Sequence, residues 1–377
     1  MRHKISLFFI FIFIPFYNVK SEEAFYPEGN FFSQTPNKPL QTILLLPFSS
    51  GARMVEYYEG FLLALEDIKK KGISVNLQVF DIGQDTKKLP DIFAELYWTD
   101  LDVVIGGLSE QQIKLISEFC KKKNTPYVIP FTSKSDETSN NRSVYQINTP
   151  QTHLYKKVAQ AFSQRYKNDN ILFHAPVGKG NKTDFVQVLQ SELKSKSIAY
   201  QVIDTTELSE NALAHYLKKD KNNVLLPSGD SSDALLKLTI PLKSIKQNTP
   251  EIGVSLFGHP SWQIYSSEFT DDFFRFNALF YSVFYADPLS PKVKTFRNNY
   301  HKWFSKELMN TFPKYGLLGY DTGMYFLLTL ANQKTAFSGL QTDFYFERVN
   351  AQSGFINTNL YLIEYHTDYS VTSEQKK

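Results

Sequence analysis

The chain has 377 residues, 41 of them Lys or Arg and 38 Asp or Glu, and 42% are hydrophobic. That length leaves room for two domains with packed cores, and the near balance of charge gives no global field that would gather nucleic acid or an anionic membrane. Cys120 is the only cysteine, which excludes an intrachain disulfide.

Arg2 and Lys4 precede an almost wholly apolar stretch, 5–16, and Val19-Lys20-Ser21 follows as a small-residue site. The pattern predicts a signal peptide over 1–21, cut before Glu22. The apolar stretch is short of the ~20 residues that span a bilayer, and no Cys follows it to carry a lipid. Cleavage removes Arg2, Lys4 and Lys20 and leaves 38 basic and 38 acidic residues. Residues 22–40 are polar and interrupted by Pro27, Pro36 and Pro39, which reads as a tether.

From Gln41 a strand-then-helix alternation begins. The expected strands of the first half are 42–47, 75–80, 103–105, 127–129 and 144–147. A helix carrying Val55, Tyr58, Phe61, Leu62, Leu65 and Ile68 at helical spacing ends at Gly72. A second covers 89–97, and a third places Ile113, Ile116, Phe119 and Cys120 on one stripe, so Cys120 reads as a core thiol. Lysines 69–71 and 121–123 fall at helix C-termini, where they complement the dipole. The alternation then restarts: helices at 153–166, 184–193, 208–217 and 232–245, with strands at 171–174, 199–203, 223–226, 253–257 and 277–281. Helices at 292–308 and 318–330 follow, and 344–348 with 359–365 suggest a closing hairpin around Gly354. The fold class is α/β: two similar doubly wound, Rossmann-like lobes, with ligands expected beyond the strand C-termini where helix N-termini point.

Several segments are similar to those of the type I periplasmic binding proteins, the receptor ligand-binding family that includes branched-chain amino-acid receptors. They are Tyr57-Tyr58-Glu59-Gly60-Phe61, Val104-Ile105-Gly106-Gly107 with Ser109, the run 126–132, Gly178-Lys179-Gly180 and Gly319-Tyr320-Asp321. The resemblance spans about 41–365 and implies three crossovers, near 148–150, 286–288 and 334–342. Lobe 1 is then expected at 41–148 and 287–335, and lobe 2 at 149–286 and 336–370. The chain also resembles the binding-protein-like domain of LysM-linked envelope proteins, although it contains no LysM segment.

In amino-acid receptors of this family, turns after the third and fourth strands of lobe 1 hold the ligand carboxylate. The matching positions are Ser109, Thr132 and Ser133. Ser109 equally suits a helix N-cap, and Thr132 and Ser133 begin a polar run to Arg142 that suits a plain surface loop rather better than a site. In lobe 2 the matching turns carry Ser228, Asp230 and His259. Asp230 suits either a cation partner or a helix cap. His259 stands where an acid would suit an amino-acid ammonium, which argues against a free α-amino acid. Trp262 suits either core packing or a stacking face, and Tyr320-Asp321 either helix packing or a hinge.

The turn 178–183 lacks the G-x-x-x-x-G-K-[ST] spacing that wraps phosphates. The sequence has no G-x-S-x-G elbow, H-E-x-x-H or C-x-x-C motif. No enzyme, metal or cofactor is expected. The resemblance implies a periplasmic solute-binding or sensor protein whose two lobes close on a small ligand, with a transporter or receptor as partner. The alternative it implies is an envelope protein-interaction module, a regulator of cell-wall synthesis with no small ligand.

Overall fold

The structure is a computed structural model that describes residues 38–376 apart from 177, 179, 334–336 and 349. The expected signal peptide and nearly all of the expected tether lie outside the described residues. Among the described residues two compact units are present, one comprising those up to Thr149 with those of Phe284–Asn359, the other Pro150–Val283 with those from Leu360 on. The chain therefore passes between them three times, as the type I fold requires.

The first unit begins with β1 (Leu40–Leu46), α1 (Ala52–Lys70), β2 (Val75–Asp81), α2 (Leu89–Leu96) and β3 (Val103–Gly106). It continues with α3 (Glu110–Lys123), β4 (Tyr127–Ile129), α4 (Glu137–Asn140) and β5 (Val144–Gln146). The second unit carries α5 (Gln151–Arg165), β6 (Asn170–His174), α6 (Thr183–Ser195), β7 (Tyr200–Ile203) and α7 (Glu210–Ala214). After these come β8 (Asn223–Pro227), α8 (Ser232–Asn248), β9 (Val254–Gly258), α9 (Ser266–Arg275) and β10 (Leu279–Ser282). The chain returns to the first unit with α10 (Pro291–Phe304), α11 (Tyr315–Leu330), β11 (Phe346–Arg348) and β12 (Phe355–Asn357), and ends in the second with β13 (Leu360–Tyr365) and β14 (Val371–Lys376).

The first sheet runs in the order β11-β12-β5-β4-β3-β1-β2 and the second β14-β13-β10-β9-β8-β6-β7. In both, the five strands of the alternation are parallel, with the order reversing at the first strand. Strands such as β1, β3, β6 and β8 are apolar almost throughout because helices cover both faces.

The last part of the chain departs from the expectation. The described residues between 337 and 359, expected in the second lobe, belong to the first unit. The short strand β12 runs parallel to β5, with Phe355 opposite Tyr145, and β11 pairs antiparallel with β12. Segments 344–348 and 359–365 therefore do not form one hairpin; β13 pairs with β10 and with β14 instead. Gly354 marks a close approach, since a Cβ there would lie 2.5 Å from the Val144 carbonyl oxygen. A helix, α9, also fills a stretch for which no element was expected, burying Phe269 and Phe273 on one side.

Two features lock the first unit. Helices α1 and α11 touch backbone to backbone: a Cβ on Gly60 would sit 1.8 Å from the Gly316 carbonyl oxygen, and one on Gly319 1.9 Å from that of Tyr57. Asp321 lies inside α11, fully buried, and neither caps the helix nor reaches solvent. Its carboxylate accepts N–H bonds from Leu340 (2.6 Å), Gln341 (2.9 Å) and Thr342 (3.2 Å), pinning the turn that leads toward β11. Burial outweighs these three donors and pushes its carboxyl up to about 7.

Candidate binding rims at the strand C-termini

Parallel strands place all βα turns of a sheet on its C-terminal edge, so each unit has one rim where loops and helix N-termini collect. On the first rim the β1–α1 turn leads into α1 through Gly51, whose φ of 114° lies in the left-handed region and whose side leaves no cap for the helix. The first turn of α1 has no acidic residue and carries the exposed Arg53, whose guanidinium lies 5.7 Å from the centre of the Tyr315 ring. Tyr315 stacks on Phe131, which meets Tyr57 edge-on at 4.7 Å. The result is a cationic, aromatic-walled rim with uncapped N–H groups, suited to a carboxylate or phosphate.

The candidate residues of this rim are mostly engaged locally. Ser109 is the N-cap of α3: its Oγ accepts from the Gln112 N–H at 3.3 Å, while Gln112 Oε1 accepts from the Ser109 N–H at 3.2 Å. The Gln112 amide also donates to the carbonyls of Gly83 and Asp85 at 3.0 Å each, tying together two rim turns. Thr132 Oγ1 accepts from the Lys134 N–H at 2.9 Å and its carbonyl accepts from Gln146 Nε2 at 3.1 Å. Ser133 is half-buried beside it.

On the second rim, the turns after β6, β8 and β9 converge. Asp230 neither caps α8, a role taken by Ser231 through Ala234 N–H at 3.2 Å, nor stands open. Lys182 Nζ lies 3.2 Å from its carboxylate, Asn181 Nδ2 donates to it at 2.7 Å and Ser261 Oγ at 2.9 Å. Burial acts to raise its pKa, but these donors and the Lys182 charge together hold it below the usual carboxylate range. Lys182 also donates to Gln151 Oε1 at 3.0 Å. Ser228 is buried, its carbonyl accepting from the Lys182 N–H at 2.8 Å, and Gly180 packs so closely that a Cβ would reach 2.3 Å from that carbonyl.

His259 lies beneath this cluster, with no solvent exposure. Its Nε2 donates to the Pro227 carbonyl at 2.8 Å, and burial, reinforced by the Lys182 charge, lowers its pKa to about 4 despite that bond. The ring is neutral at pH 7. Trp262 is also fully buried, stacked on Phe273 at 5.7 Å, and Gly258 lies against its face. The structure thus brings Ser228, Asp230 and His259 into one region of the second unit, with His259 and Trp262 facing inward, and gathers Ser109, Thr132 and Ser133 on the first rim. Sequence reasoning passed over Arg53, Tyr315, Asn181, Lys182 and Ser261. Asn181 and Lys182 both lie within the turn 178–183, whose spacing does not fit a phosphate loop. Arg53, Tyr315 and Ser261 carry no local pattern, because their partners are distant in the chain.

Among the described residues, no group of three or more His, Cys, Asp or Glu is placed to hold a metal ion, and no helix is long and apolar enough to cross a membrane. The sequence matches no protein-family model and no curated protein. Solved structures do match the fold. A putative branched-chain amino acid ABC transporter protein from Rhodospirillum rubrum is 13% identical with a TM-score of 0.61, over 88% of this chain and 99% of that one. An ABC transporter substrate-binding protein from Desulfitobacterium hafniense is 12% identical, TM-score 0.54, over 89% and 100%. LpoA from Haemophilus influenzae is 13% identical, TM-score 0.57, over 90% of this chain and 60% of that one. With two doubly wound sheets of matching strand order and three chain passes between them, the chain has the type I periplasmic-binding-protein fold.

Proposed function

We propose that the protein is a non-catalytic solute-binding protein of the periplasm, and that its solute carries an anionic group held at the first rim. The observation that carries this reading is the uncapped start of α1, with Arg53 exposed in its first turn and no acid to neutralise it. Helix N–H groups and a guanidinium together favour carboxylate or phosphate. At the two second-rim positions where the resemblance would place an ammonium partner, Lys182 already neutralises Asp230 and His259 is buried and neutral, so neither is a free acid. A zwitterionic amino acid is therefore a poor fit, and an anionic solute without an ammonium a better one. Ser109, Thr132, Ser133 and Ser228 act in this reading as the frame of the rims.

Thermal-shift titration with a panel of small carboxylates, phosphates and amino acids tests this. An anionic solute should raise the melting temperature, and Arg53→Ala should weaken its binding at least tenfold. A response confined to amino acids would overturn the ligand class.

A second reading, an envelope protein-interaction module without a small ligand, is favoured by one observation: Ser109, Thr132 and Asp230 have their side chains bonded within their own units. Isolation of a stoichiometric protein partner, with no solute response in the panel, would select it.

A further inference from the structure

Helices α2 and α3 lie side by side on one face of the first sheet, and between them runs a groove of about 530 Å³. Its floor is apolar: Phe93 and Phe119 stack at 4.4 Å, with Ala94 and Leu115 beside them. At the lower end stand Tyr97 and Trp98, 56% and 88% exposed, packed edge to face at 4.8 Å. Lys123 holds the pair in place, donating to the Tyr97 carbonyl at 2.7 Å and lying 5.8 Å from its ring. Bulky aromatics left in water beside an apolar floor mark surfaces that a partner covers.

The charge around the groove states what kind of partner. The last turn of α3 carries Lys121, Lys122 and Lys123. Lys121 donates to the Asn140 carbonyl and Lys123 to that of Tyr97, whereas Lys122 lines the groove and has no ion pair or hydrogen bond among the described residues. One turn earlier Glu118 lines the same groove, and Asp100 is exposed two residues beyond Trp98. A lipid surface or a nucleic acid would press negative charge on Glu118 and Asp100 as well as on the lysines. A peptide can place its carboxylates at the Lys122 end alone.

We propose that this groove docks a peptide segment of a partner protein that inserts one or two large apolar side chains between α2 and α3 and sets carboxylates against Lys122. The volume lies within the roughly 300–1,000 Å³ range of ligand pockets. The groove is lined from α2 and from the part of α3 beyond the rim residues Ser109 and Gln112, and it does not depend on the solute reading.

The test uses the full chain with Trp303→Phe, so that Trp98 is the reporter and Trp262 stays buried. The probe is a synthetic peptide with Phe and Leu four residues apart flanked by glutamates, and its twin has lysines in their place. The glutamate peptide should shift Trp98 emission saturably, and the lysine twin should bind at least tenfold more weakly. Lys122→Glu should weaken the glutamate peptide at least tenfold. Ala94→Glu, at an exposed position that leaves the core alone, should abolish binding. Equal binding of both peptides, no binding up to millimolar peptide, or binding unaffected by Ala94→Glu each overturns the proposal. So does a Trp98 shift produced by dilution of the protein alone, which marks a second copy as occupant, or one produced by anionic vesicles with no discrimination between the peptides.

Discussion

Gly319→Ala should destabilise the first unit far more than an ordinary helix substitution. Gly319 lies in helical backbone, so alanine adds no φ strain and gains about 1 kcal/mol of helix propensity. Against that, its Cβ would sit 1.9 Å from the Tyr57 carbonyl oxygen, 2.9 Å from its carbonyl carbon and 3.0 Å from the Phe61 nitrogen. These are backbone atoms and cannot rotate away. Relief requires α11 to move off α1 by roughly 1.5 Å, given ordinary contacts of about 3.5 Å. A gap of 0.5–1 Å already forfeits about a quarter to a half of each contact's attraction, and this helix pair is the most extensive in the unit. Overpacking of this kind costs about 1–3 kcal/mol and at times more. Taking the upper end of that cost against the gain in propensity, the net loss should be about 2 kcal/mol, a sizeable share of the ~5–15 kcal/mol that holds a protein folded. Gly316→Ala is the control: its Cβ meets the Leu308 side chain at 2.6 Å, which can swing aside, so the change should stay within about 1 kcal/mol. Urea unfolding followed by circular dichroism separates the two. If Gly319→Ala is as stable as the parent, the close helix contact and the packing argument built on it are wrong.

Asp321 gives a pH signature. Its carboxyl is raised to about 7 by burial, above the ~3.9 of an unfolded chain, so between these values the folded state holds a proton that the unfolded state releases. The stability it contributes is fully present below about pH 4 and is lost as pH rises through about 7. Stability measured across this window should fall, and Asp321→Asn should flatten the slope. An unchanged slope would place the carboxyl's titration elsewhere. Lys182→Met strips the charge partner from a carboxylate only partly screened by water, and should cost roughly 1–3 kcal/mol, between exposed and buried ion pairs. Adding Asp230→Asn should recover part of that loss in the same urea experiment.

The parallel strands were legible because burial on both faces turns them into short apolar runs, as in Ile43–Leu46 and Val224–Leu226. The end of the chain was not. Segments 344–348 and 359–365 have similar alternation, and nothing local tells that the first joins β12 beside β5 while the second joins β10. The α3 cap was readable, since Ser109 and Gln112 have the spacing of a capping box. The neutralisation of Asp230 was not, because Lys182 lies 48 residues earlier and only the fold joins the turns after β6 and β8. His259 likewise shows its role only through burial, which single-residue identity does not encode.

The most direct test of the account is native mass spectrometry of the protein purified without unfolding, before and after adding back a small-molecule extract. A solute-binding protein should retain, or take up, one anionic small molecule per chain, and Arg53→Ala should lose it. A mass equal to the bare chain in every condition, or a bound species unaffected by that substitution, would contradict the assignment of the first rim as a solute site.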